Sequence, residues 1–197
     1  MDELLKQKLH DAIWVAHSLF DRGKTTGSSA NLSFRHNDHI YISASGTCFG
    51  TLTENDFAEL TLDGTCLTDR NPSKEWPLHL DLYHAKPDIG AVLHTHSTYS
   101  VLWSIVPNPL ESDCVPLHTP YLKMKLGTIG LIPYEKPGSE ELFTAFRERI
   151  GKSDGYLLKN HGPVVPGKDM LDAFYCMEEL EESARIAWEL YRAGLEQ

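Results

Sequence analysis

Short apolar runs set between helical patterns constrain this chain most. Residues 89–93, 129–133 and 155–159 are rich in Ile, Leu, Val and Gly and too brief to be buried helices, so they read as buried strands. Residues 139–150 and 169–191 instead repeat apolar positions at helical period, as do residues 2–21, with Gly23 as a stop. Leu78 to Ala85 reads as a helix ended by Lys86-Pro87, and residues 97–105 as another, stopped by Pro107 and Pro109. Leu32 to Arg35 and His39 to Ser43 form an expected hairpin across Asn37-Asp38. Residues 56–62 and 65–68 suggest a further strand pair around Asp63-Gly64, and Val115 to Pro120 one more strand. Without repeats, linkers or low-complexity segments, the expectation is one α/β domain over 1–197, a mixed sheet flanked by helices.

The chain has 197 residues, 41% hydrophobic and 23% charged, which is ordinary soluble usage. Its formal net charge of −10 argues against nucleic acid and anionic membrane as main partners, though a local cluster of donors can still hold a phosphorylated substrate. No apolar stretch approaches the length of a membrane span, and the N-terminus lacks a signal-peptide core. Cys48, Cys66, Cys114 and Cys176 make no CxxC pair. The expected setting is a reducing cytoplasm.

The segment AVLHTHSTYS carries His94 and His96 at the end of an apolar run. Alternate residues of a strand share a face, so the pair is either half of a metal site or two imidazoles on a wet strand. His161, in YLLKNHGPVV, follows another apolar run before a Gly-Pro turn and is the third candidate ligand. Three imidazoles leave a position open for water or substrate, the pattern of catalytic zinc. His118 lacks such a turn, His79 and His84 read as packing or surface residues on a helix, and the N-terminal histidines as structural. Glu75 in PSKEW is the candidate general base; alternatively it complements a helix dipole. GSSAN (27–31) and SASGT (43–47), with Ser73, are candidate anion cradles, or ordinary turns. Neither matches a nucleotide-binding fingerprint. The Glu178, Glu179, Glu181 and Glu182 cluster reads as a solvated helix face.

TTGSSANLS, ISASGT, PSKE, AVLHTHS and KNHGPVV occur in an order and spacing that resembles the class II aldolase/adducin-head family over nearly the whole chain. The resemblance implies a three-layer fold, a central mixed or antiparallel sheet between helices, and a C4 homotetramer. It implies Zn2+, or another divalent ion such as Mn2+, on His94, His96 and His161. Glu75 would be the acid/base and would touch the ion in the resting state. Ser28, Asn31, Ser45, Gly46, Ser73 and Lys74 would bind phosphate or substrate. Adducin heads lack the metal set, so its presence here argues against a non-catalytic interaction module.

Within the family, the aldolase proton-donor tyrosine aligns with Pro120, with Tyr121 next door. HSTYS, TPYLKMKLG, IPYEKPG and CMEELEES resemble the sugar-acid branch, which decarboxylates 3-oxo-tetronate 4-phosphates. The implied activity is loss of CO2 from such a phosphorylated sugar acid, through an enediolate whose charge the ion stabilises, to give dihydroxyacetone phosphate. Lys74 and Lys125 are candidate partners of the departing carboxylate. The alternative is a ketose-phosphate aldolase of the fuculose or rhamnulose phosphate type.

Overall fold

The computed structural model describes residues 2–107 and 110–195. Seven strands form one mixed sheet: β1 (Asn31–His36), β2 (His39–Ser43), β3 (Phe57–Thr61), β4 (Ala91–His94), β5 (Ile129–Ile132), β6 (Gly155–Leu158) and β7 (Gly162–Gly167), in the order β3-β2-β1-β4-β7-β6-β5. Only the β5–β6 pair is parallel. Among the described residues six α-helices accompany it: α1 (Glu3–Asp21), α2 (Trp76–Ala85), α3 (Thr98–Ile105), α4 (Tyr121–Lys125), α5 (Glu140–Arg147) and α6 (Met170–Arg192).

Strand alternation sorts the apolar residues into two cores. Leu32, Phe34, Ala91, Leu93, Leu157 and Val165 pack on one face with α1 and α6. Val92, Tyr156, Leu158 and Val164 pack on the other with α2 and α5. Because both faces are covered, β4, β5 and β6 are buried at every position. That double burial is why they read as continuous apolar runs rather than alternating ones.

The structure departs from expectation in four places. Val115 to Pro120 is not a strand. Pro116 and Pro120 cannot donate to a ladder, and only the residues before them line the sheet edge, where Cys114 N–H donates to Ile129 O (2.7 Å) and Leu131 N–H to Glu111 O (2.7 Å). The chain then forms α4, too short for its period to show. Residues 65–68 make only a single bridge, Leu60 to Cys66. Conversely, GPVVPG opens not a turn but β7, a central strand pairing with β4 and β6. Its prolines supply no N–H, but the Pro163 carbonyl accepts from Thr95 N–H (3.3 Å). The expected helix stop at Pro109 lies outside the described residues.

Fourth, Glu181 is not on a solvated face; it is 2% exposed. Its carboxylate accepts from Tyr99 N–H (3.1 Å), Ser100 N–H (2.9 Å) and Ser100 Oγ–H (2.7 Å). A side chain of α6 thus satisfies the free amides of the first turn of α3, where a negative charge also suits the helix dipole. One residue earlier, Ser97 Oγ–H donates to Lys24 O (3.0 Å), and Ser97 Oγ also lies 2.7 Å from Thr95 Oγ1. The segment between β4 and α3 is therefore pinned from several sides. Gly162 presses on it too: a Cβ there would lie 2.0 Å from Thr95 O.

Two outcomes are expected in urea denaturation. Glu181→Ala strands three donors and lowers stability by about 2–3 kcal/mol. Gly162→Ala forces the backbones of β7 and residue 95 apart and costs about 3 kcal/mol. A midpoint unchanged in either variant would contradict these contacts.

Candidate metal centre

His94 is the last residue of β4 and is fully buried. His96 lies beyond the strand, so strand alternation alone does not bring the pair together; the pinned segment 95–97 does. His161 stands in the tight β6–β7 turn, where His161 N–H donates to Leu158 O (3.1 Å) and Asn160 takes a left-handed φ of 59°. Asparagine tolerates that conformation better than most residues. Ser104 Oγ of α3 accepts from Asn160 N–H at 3.0 Å and braces the turn.

The three imidazole centroids are 4.7–5.1 Å apart, and one ligand nitrogen from each lies within 4.8 Å of the others. Glu75 enters from the opposite side at the N-cap position of α2, but its side chain makes no capping bond. It turns instead to the histidines, with Oε2 3.2 Å from His94 Nε2 and Oε1 3.3 Å from His161 Nε2. The helix-dipole reading of Glu75 therefore does not describe where its carboxylate points.

His94 Nδ1 is 2.8 Å from Pro163 O, which can only accept, so Nδ1 carries the proton. In the neutral ring Nε2 then turns a lone pair on the Glu75 carboxylate. A proton or a cation has to lie between them. Three buried polar atoms around this point make no hydrogen bond, Nε2 of His94, Nε2 of His96 and Oε1 of Glu75, and Nε2 of His161 faces the same carboxylate at 3.3 Å. Buried polar atoms are ordinarily paired, and a convergent set of unpaired nitrogens and a carboxylate oxygen is a donor set that fits a divalent ion. Burial, reinforced by His94, pushes His161 down to about 3 and His96 down to about 4, which keeps both rings neutral and their lone pairs free. Burial alone would push the Glu75 carboxyl up; positive charge placed at His94, then at His161, with the Asn31 hydrogen bond, outweighs it and holds Glu75 below the usual carboxylate range, and with both rings neutral that charge has to come from a bound proton or cation.

Beside this cluster is a cavity of about 340 Å³. Of the residues that line it, Glu75, His161 and Ser73 are buried and His96 half-buried, while Ser28, Ser45, Gly46 and Lys74 are exposed and make its rim; Pro137 and Gly138 line it too. Lys74 is the one lysine or arginine among the described lining residues. Asn31 also lines it, but its amide is engaged: Nδ2–H donates to Glu75 Oε2 (3.1 Å) and Oδ1 lies 2.6 Å from His79 Nε2. Tyr121 is exposed on α4 and does not line the cavity. Lys125 lines a different one, with Lys86 and Cys176, and its ammonium sits 5.8 Å over the Tyr175 ring. A larger cavity of about 530 Å³ between Glu111 and Lys152 contains no histidine.

Sequence reasoning did not foresee the wall made by Pro137 and Gly138, nor the polar partners of His79, whose burial agrees with the packing reading. For His79 a signal existed. Glu75, His79 and Tyr83 recur every four residues, and Asn31 and Ser33 alternate on a strand, so each set shares one face.

Over residues 10–188 the chain matches the family described as Class II Aldolase and Adducin N-terminal domain. It is 38% identical over 173 residues to the 3-oxo-tetronate 4-phosphate decarboxylase of Escherichia coli (strain K12), covering 87% of this chain and 82% of that protein. It is also 38% identical over 174 residues to the L-fuculose phosphate aldolase of Methanocaldococcus jannaschii, covering 88% and 92%. The crystal structure of YgbL from Escherichia coli superposes with a TM-score of 0.91 at 34% identity, covering 95% of this chain and 91% of that one. The three-layer fold, the position of the histidine cluster and these similarities agree: the chain belongs to the class II aldolase and adducin N-terminal domain family.

Proposed function

We propose that this chain is a metal-dependent carbon–carbon lyase that decarboxylates a 3-oxo-tetronate 4-phosphate to dihydroxyacetone phosphate and CO2. The observation that carries this reading is the joint lining of one cavity by an unpaired histidine–carboxylate cluster and a hydroxyl-rich rim with a single ammonium. The resemblance to proteins named as decarboxylases of that substrate supports the choice of reaction.

His94, His96 and His161 would hold the ion, zinc by donor type, with Glu75 a further ligand at rest. When bound, the ion supplies Lewis-acid stabilisation of charge developing on a substrate oxygen. Ser28, Ser45, Gly46 and Ser73 bind the phosphate with hydroxyls and backbone amides. Asn31, otherwise a phosphate candidate, spends its amide holding Glu75. Lys74 pairs with the substrate carboxylate. As the C1–C2 bond breaks, CO2 leaves and its electron pair passes into the C2–C3 bond, forming an enediolate. C2 must then gain one proton; water at the exposed rim supplies it and Glu75 relays it to C2, a carboxylate before and after the step. Neither Tyr121 nor Lys125 lines this cavity within one chain, and the steps above call on neither.

A homotetramer in a reducing cytoplasm fits four cysteines that form no disulfide and the exposed Leu117, Tyr121 and Met124, and light scattering tests the assembly. The relation to fuculose-phosphate aldolases keeps one second reading, retro-aldol cleavage of a ketose 1-phosphate at the same site.

The test supplies a 3-oxo-tetronate 4-phosphate with zinc or manganese and follows CO2 and dihydroxyacetone phosphate. Glu75→Gln is expected to lower kcat by about 100- to 10,000-fold. Faster cleavage of fuculose or rhamnulose 1-phosphate would favour the second reading. Dialysis against a chelator is expected to abolish turnover and added divalent ion to restore it; activity indifferent to the chelator would overturn the metal assignment.

A further inference from the structure

Beneath Glu75 a line of buried polar groups runs away from the cavity, between β1 and α2. Asn31 Oδ1 and His79 Nε2 are 2.6 Å apart, His79 Nδ1 and Ser33 Oγ 2.7 Å, and Ser33 Oγ and Tyr83 Oη 2.9 Å. Ser33 and His79 are at most 1% exposed, as is Tyr83. None of these three lines the cavity.

The direction of every bond follows from the carboxylate end. Glu75 as a carboxylate only accepts, so Asn31 turns its nitrogen to it. That leaves Asn31 Oδ1 facing His79, so Nε2 of His79 must carry the hydrogen. Burial pushes His79 down to about 3, so the ring is neutral and Nδ1 is bare. Ser33 must then donate to Nδ1, and Tyr83 must donate to Ser33. The opposite tautomer of His79 would face Asn31 with a bare Nε2, draw the amide nitrogen towards itself and turn Oδ1 on the Glu75 carboxylate. Two acceptors would then meet in a buried site. The tautomer of His79 and the orientation of Asn31 are therefore one choice, not two.

We propose that Tyr83, Ser33, His79 and Asn31 form a one-way hydrogen-bond chain that locks the Asn31 amide nitrogen onto Glu75, making His79 a positioning residue for the carboxylate. This rests on the reading above in that Glu75 carries the proton. His79 touches neither substrate nor ion and acts only through Asn31.

The experiment has a structural and a kinetic arm, both on the full-length, metal-loaded protein. In protein labelled with 15N-histidine, two-bond proton–nitrogen spectra report the tautomer, with the His79 signals assigned by their loss in His79→Gln. A single Nε2–H tautomer across the neutral pH range is expected. The Nδ1–H form, a mixture of the two, or a ring that protonates in this range would overturn the proposal.

In the kinetic arm, His79→Phe, which keeps the ring but no N–H, is expected to lower kcat on the oxo acid by about 10- to 100-fold with KM within about twofold. His79→Gln, whose amide N–H can meet the same acceptor, is expected to recover most of that loss. Equal losses in the two variants, or a loss confined to KM, would overturn the positioning role. Should His79→Phe fail to fold, Ser33→Ala removes only the donor to Nδ1; it is expected to populate the second tautomer and lower kcat, and no change in either would overturn the chain. A wild type inert towards the oxo acid defeats the functional reading instead, and the tautomer spectrum, which needs no substrate, then decides the chain by itself.

Discussion

A carboxylate buried against an imidazole nitrogen is the constraint on which the rest of the site depends. Glu75 Oε2 lies 3.2 Å from His94 Nε2, and the Pro163 carbonyl holds the proton of that ring on Nδ1. In a poorly polarisable interior, two lone pairs cannot face each other without a positive charge between them. His96 and His161, neutral through burial, bring further lone pairs to the same point. The fold thus concentrates electron pairs where ordinary proteins pair them off, and a divalent ion bound there would resolve the conflict.

Keeping such a cluster together demands a stiff surround. The histidines come from two places far apart in the chain, the end of β4 and the β6–β7 turn, and pairing of β4 with β7 sets them side by side. Close backbone approach at Gly162 and the anchoring of residues 95–100 by Ser97 and Glu181 hold His96, which no strand ladder fixes. Glu75 comes from a third place, and the β1–α2 polar contacts tie it down through Asn31. Ser28, Ser45, Gly46 and Lys74 on the rim, by contrast, are exposed, as suits groups that must exchange water for a phosphate.

Much of this was legible locally. The apolar runs that became β4, β5 and β6 stood out because burial on both faces leaves no polar position in them. The histidines were recognisable from their places after such runs. Other features were not, for reasons that can be named. Proline signals a turn to any local reading, and only the neighbours of β7 explain why GPVVPG can be a central strand. Glu181 sits in a row of acidic residues that all look solvated; its burial depends on where α3 begins. His79 looked like a helix-packing residue until the strand opposite it was known.

By itself the sequence determined the class of fold, the candidate ligands and base, and the small polar rim, because periodicity and residue chemistry are local properties. The tertiary structure alone decided which of those residues meet. It turned Glu75 away from its helix and towards the histidines, removed Lys125 and Tyr121 from the cavity and engaged Asn31 with Glu75 and His79. Those outcomes depend on the pairing of strands and helices distant in sequence. Hydrogen-bond direction and burial are properties of the neighbours a residue acquires, and no local pattern encodes them.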